Sequence, residues 1–195
     1  MISKITICNL ALAQLGQAPL ASLEQEDEKA RRLKLFYEPV RDEVLRTHNW
    51  GFAAAQMPLT LLEKEGVLRD MRVYKYPAEA LFIRGVFSAQ APKTRLPFEE
   101  RFRPDLQERV LYVPAEDAYA DYTRRITDET LFDPAFAKCF SLALAADLAL
   151  VLTGDSTLAG QILQKYTLSL DEARRSNMTE NFLRSAQQDA FSEVR

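Results

Sequence analysis

The sequence predicts a mainly α-helical fold: an antiparallel bundle of about four long helices, with a small inserted antiparallel β-sheet and an extended C-terminal tail. Three observations predict it. Apolar residues recur at spacings of three and four over the opening segment and again from Asp133 to Ser176, the stripe of a half-buried helix. Between about residues 57 and 127 the period falls to two, as on strands. The closing segment, 178–195, is mostly polar. One helical domain therefore spans 1–177 with its β-rich insertion at about 57–127, and 178–195 forms a tail or arm.

Composition supports a folded chain. With 195 residues, 47% apolar and 27% charged, it has enough apolar side chains for one core and does not read as disordered. A net charge of −3 gives no general attraction to nucleic acid or anionic membrane.

Ser3 caps a first helix whose stripe is Ile5, Cys8, Leu12 and Leu15. Gly16 stops it, because glycine takes the left-handed conformation cheaply. A second helix starts near Glu26, with acidic residues at the positive end of its dipole. Leu33, Tyr37, Val40, Val44 and His48 form its stripe, and Pro39 is expected to kink or divide it. It ends near Asn49, and Trp50 and Phe52 follow as anchors.

In the insertion, Val73 to Tyr76, Leu96 to Phe102, Arg109 to Val113 and Tyr119 to Ile126 read as strands, and Ala78 to Arg84 as a helical turn. On the last strand Tyr119, Asp121 and Thr123 share one face, and Ala120 and Tyr122 the other. Asp133-Pro134 then opens a helix that runs to Thr153 and stops at Gly154. Its Lys138 and Asp147 favour a core helix over a membrane span. A final helix runs from Asp155 or Ser156 to about Ser176, with Leu158, Ile162, Leu163, Tyr166, Leu170 and Ala173 as its stripe.

No pattern in the sequence points to catalysis, a cofactor or a metal. The one histidine, His48, sits in a helical stripe, and no serine, threonine or cysteine has a partner base at recognisable spacing. Cys8 and Cys139 read as reduced, buried residues. The pairs Glu99-Glu100, Glu116-Asp117 and Asp128-Glu129 read as solvated turns or edges, though they are the best material for an acid/base hydrolase. Basic residues are scattered among acids; Arg72, Lys75 and Arg84 form the one local group proposed to touch DNA phosphate.

The opening resembles one family. The helix ending Leu12-Ala13-Gln14-Leu15-Gly16 is followed by Gln17-Ala18-Pro19-Leu20 and by an acidic start to the next helix with Ala30-Arg31. Tyr37-Glu38-Pro39-Val40-Arg41 and the exit Asn49-Trp50-Gly51-Phe52-Ala53 complete the pattern. Tyr74 to Leu81 and Thr127 to Phe136 match more loosely. In these features the chain resembles the head-to-tail adaptors of short-tailed bacteriophages, the tail tubular protein A or head-completion adaptor family. The resemblance implies a non-enzymatic subunit of a ring, commonly of twelve copies, docked under the portal protein in the virion after synthesis in the host cytoplasm. Such a ring extends the channel for double-stranded DNA and carries the downstream tail or nozzle protein; it implies no cofactor and no membrane. Twelve copies of an acidic chain would form a conduit that lets DNA slide. Phe182, Leu183 and Phe191 are the expected protein-interface residues, buried only against the portal. The alternatives are another phage neck or tail assembly factor and, further off, a small hydrolase.

Overall fold

Short polar side chains open the helices, at Ser3, Asp133 and Asp155 as the sequence predicts and at Asp27, one residue past the expected start near Glu26, for the second. In the computed structural model, which describes residues 1–64 and 70–192 with side chains through Ser176, Ser3 caps α1 (Lys4–Gln14) by accepting from the Thr6 amide. Asp27 caps α2 (Glu28–Arg46), Asp133 caps α3 (Pro134–Thr153), and Asp155 accepts from the amides of Thr157 and Leu158 to open α4 (Ser156–Ser192). Each cap satisfies amides that the first turn leaves without partners. At the other end of α1, Gly16 lies at φ +65°, and the Gly16 and Gln17 amides return to Ala13 and Leu12. This double return is the Schellman stop. Gly154, at φ +68°, stops α3.

The chain divides into two units, Met1–Phe52 with Ile126–Arg195, and Ala53–Arg125. In the helical unit α3 is the central element, packed by α1, α2 and α4. It is apolar around most of its circumference, and Phe136, Phe140, Leu144 and Leu148 are fully buried. Its length and composition would suit a bilayer, but 61% of its most apolar stretch is buried inside the protein. Trp50, Phe52, Phe132 and Phe140 surround Phe136 with centroids 4.9–5.9 Å away. The Trp50 indole N–H donates to the Val44 carbonyl at 2.9 Å, so the anchor's polar atom is also satisfied. Arg174 on α4 donates to the Thr47 carbonyl at 2.9 Å, placing a cation at the negative end of α2.

The other unit holds two four-stranded antiparallel sheets, ordered β1-β8-β4-β5 and β2-β3-β7-β6. Their strands are β1 (Ala54–Pro58), β2 (Leu61–Glu63), β3 (Arg72–Lys75), β4 (Ala80–Ser88), β5 (Ala91–Leu96), β6 (Glu99–Arg103), β7 (Glu108–Val113) and β8 (Ala118–Arg124). One face of each sheet contributes to a shared core: Ile83, Val86, Ala120 and Tyr122 from the first, Tyr74, Leu111 and Val113 from the second. The alternation on β8 sends Ala120 and Tyr122 into this core and Asp121 and Thr123 to the other face, as its period of two predicts.

Several expectations are corrected. The fold is mixed α/β, 46% helical and 26% strand, and not a mainly-α helical bundle. The insertion is two sheets where one small sheet was expected. Of Ala78 to Arg84 only Ala78 and Glu79 form a turn, closed by the Ala80 amide on the Pro77 carbonyl, and β4 begins at Ala80; Ile83 and Val86 of that strand are needed in the sheet core, and tertiary burial overrides a weak local preference. Leu96 to Phe102 is two strands, since Pro97 has no amide to donate and separates β5 from β6. Pro39 leaves α2 undivided over 19 residues, because Leu33, Tyr37, Val40 and Val44 hold one buried stripe across it. The C-terminal segment is not extended: α4 continues to Ser192.

Candidate functional site

The sequence-predicted basic residues are not brought together. Arg72 and Lys75 both lie on β3, three residues apart and so on opposite faces, while Arg84 lies on β4 of the other sheet. Each has a partner. Arg72 pairs with Glu116, Lys75 with Glu108 at 3.1 Å, and the Arg84 Nε donates to the Thr123 hydroxyl at 2.9 Å. Burial lowers the pKa of Arg84, with Asp121 opposing. Phe182, Leu183 and Phe191 lie outside the described side chains.

The carboxylate pairs serve structure. Glu99 binds Arg101 and Glu100 binds Arg109, at 2.6 and 2.9 Å. Asp128 caps a turn through the Thr130 amide, and Glu129 accepts from the Tyr37 hydroxyl at 3.0 Å. Burial first, and then Glu129, hold that phenol well above its ordinary range. The outer face of the second sheet carries a mesh of charges: Arg103 joins Glu63 and Asp105, and Arg101 sits over the Tyr112 ring at 6.0 Å. Arg41, 4% exposed on α2, is matched by Asp42 at 2.8 Å, which keeps a buried cation neutralised. Among the described residues no cluster of three metal-ligating side chains occurs.

The cysteines are free and buried. Burial pushes the Cys8 thiol up to about 12, Lys4 opposing. Burial also raises Cys139, whose sulfur lies 3.4 Å from the Ser169 hydroxyl. Thiols held protonated are poor nucleophiles, so neither is set up for covalent chemistry.

A groove of about 540 Å³ opens in the helical unit. Its walls are α1, with Leu10, and α4, with Leu168; its floor is α3, with Ala137 and Ser141. The wall leucines are 46% and 66% exposed, whereas the floor residues are buried. On α3 the lining residues fall at Pro134, Ala137, Lys138, Ser141 and Leu142, and on α4 at Lys165, Leu168, Ser169 and Glu172. Spacings of three and four mean that each helix turns one continuous two-turn face toward the groove. Small side chains on the floor allow close approach, and the tall walls would flank whatever enters. Lys138 meets Glu172 at 3.7 Å; Lys165 has no ion pair among the described residues.

Sequence reading missed this groove, yet the signal was present. Leu10 is absent from the Ile5-Cys8-Leu12-Leu15 stripe, and Leu168 from the α4 stripe. A leucine off its helix's buried stripe is either a stray surface residue or part of a second apolar face. Leu163 errs the other way: its spacing places it in the stripe, yet it is 54% exposed.

No protein-family model matches the chain, and no curated protein matches it.

Proposed function

We propose that this chain is a structural subunit of the head-to-tail adaptor ring of a short-tailed phage. It docks beneath the portal protein, extends the DNA channel and offers a platform to the next tail component, without turnover. The observation that carries the reading is the opening sequence, from the first helix through the Asn49-Trp50-Gly51-Phe52-Ala53 exit.

The residues that carry the resemblance also have definite structural work. Gly16 closes α1. Asn9 clamps the following loop with two bonds to the Leu20 backbone, each 2.9 Å. Trp50 and Phe52 anchor the exit of α2 against Phe136. A motif that sets helix ends and loop paths specifies a rigid frame, which is what a ring component requires. Most of the charged groups, Lys165 apart, are engaged in ion pairs, caps or hydrogen bonds, which also suits a building block better than a catalyst.

The test is assembly. Purified chain mixed with its cognate portal and viewed by negative-stain microscopy is expected to add a ring to the portal's tail-facing end. Failure to recover any complex from that mixture overturns the proposal.

A further inference from the structure

We infer that the groove between α1, α3 and α4 receives the C-terminal stretch of α4 from a second copy of this chain. This deepens the adaptor reading and rests on it in one respect: it names the partner of the C-terminal apolar residues, placing them on a neighbouring copy and not on the portal.

The groove has the form of a helix seat. Leu10 and Leu168 stand as walls over a floor of Ala137 and Ser141, and the faces of α3 and α4 that line it run for two turns. A short amphipathic helix laid in such a trough buries anchors at spacings of three and four. The chain itself contains a segment of that kind. By sequence spacing Phe182, Leu183, Ala186 and Ala190 fall on one helical stripe, with Phe191 further round, and α4 is helical through Ser192. Charge matches as well. Glu180 and Asp189 fall on the two flanks of that stripe, with Arg184 further round, whereas the groove presents Lys165 beside the Lys138–Glu172 pair.

The occupant must come from another molecule. α4 supplies both the Lys165–Glu172 wall and the C-terminal segment as one continuous helix, and a continuous helix cannot fold back on itself. Seating the end of one copy in the groove of the next is a heterologous contact, which closes into a ring or propagates as a filament.

The experiment uses the full-length chain and a fluorescein-labelled peptide of residues 178–195, followed by anisotropy. The expected result is saturable binding to the wild-type chain, at least tenfold weaker to Leu168→Glu and to Leu10→Glu. Both sites are substantially exposed, so the variants should fold; Trp50 fluorescence checks this. A peptide with serine at positions 182, 183 and 191 should not bind, and Lys165→Glu should weaken binding severalfold at low salt. Equal binding to wild-type and groove variants, or no saturable binding at sub-millimolar chain, overturns the inference. Portal-dependent ring formation is scored separately. Peptide bound in the groove with no ring on the portal overturns the adaptor reading alone; a normal ring from Leu168→Glu overturns this inference alone.

Discussion

Replacing Phe136 by alanine should remove much of the stability of the helical unit. The side chain is fully buried and contacts the rings of Trp50, Phe52, Phe132 and Phe140. Deleting a buried phenylalanine ring costs about 3–5 kcal/mol in lost transfer energy and residual cavity. Aromatic pairs add about 0.5–1.5 kcal/mol each beyond their area, so four lost pairs favour the upper end of that range. Against a typical total of about 5–15 kcal/mol, this is a third or more of the whole. Trp50, the single tryptophan, is itself one of the partners, so urea unfolding followed by its emission reads the perturbed site directly. The midpoint should fall steeply in Phe136→Ala and by less than half as much in Phe136→Leu, which keeps most of the volume. A loss below about 1 kcal/mol, no larger than that of an exposed control such as Leu35→Ala, would refute the claim that this aromatic cluster organises the unit.

Other outcomes follow from the same geometry. Gly154→Ala should cost about 1 kcal/mol in thermal unfolding, because its φ of +68° strains any side chain while nothing lies within 4 Å to clash with or reward a new Cβ. Asn9→Ala removes both bonds to Leu20 and should destabilise by about 1–3 kcal/mol, with faster hydrogen exchange at the Leu20 amide. Burial, with the Glu43 carboxylate adding to it, raises the pKa of Asp147 above its ordinary value. The folded state therefore binds that proton more tightly than the unfolded chain, and the ionised group is a net cost above the folded pKa. Asp147→Asn should accordingly stabilise the protein at neutral pH, with the gain vanishing below the ordinary aspartate range; urea titrations at pH 7 and below pH 4 compare the two. With both thiols raised by burial, a disulfide reagent should label neither cysteine in the native protein and both in denaturant.

Where local chemistry decides, the sequence was legible. Ser3, Asp133, Gly16 and Gly154 each act through bonds or torsions within a few residues, and each sits at the helix end it predicts. The β8 alternation was legible for the same reason. What escaped depends on long-range packing. Nothing near Ala80 says that it begins a nine-residue strand; pairing with β8 decides that. A division into two sheets is equally remote, since β3 pairs with β7 and β4 with β8 across dozens of residues. At the C-terminus the polar composition predicts an extended tail, although good helix formers such as Leu, Arg, Ala and Gln fill Phe182 to Ala190 and continue α4. For the site, the interface aromatics were read from composition, while the groove required knowing which leucines α3 leaves uncovered.

The β unit begins and ends on paired neighbours: β1 and β8 lie side by side, with Ala54 opposite Thr123. Opposed residues of an antiparallel pair are only about 5 Å apart. The unit thus starts and finishes across the gap that a two-residue hairpin spans. Residues between β1 and β8 can therefore be lengthened, trimmed or exchanged without changing the distance at which the two ends of this unit meet.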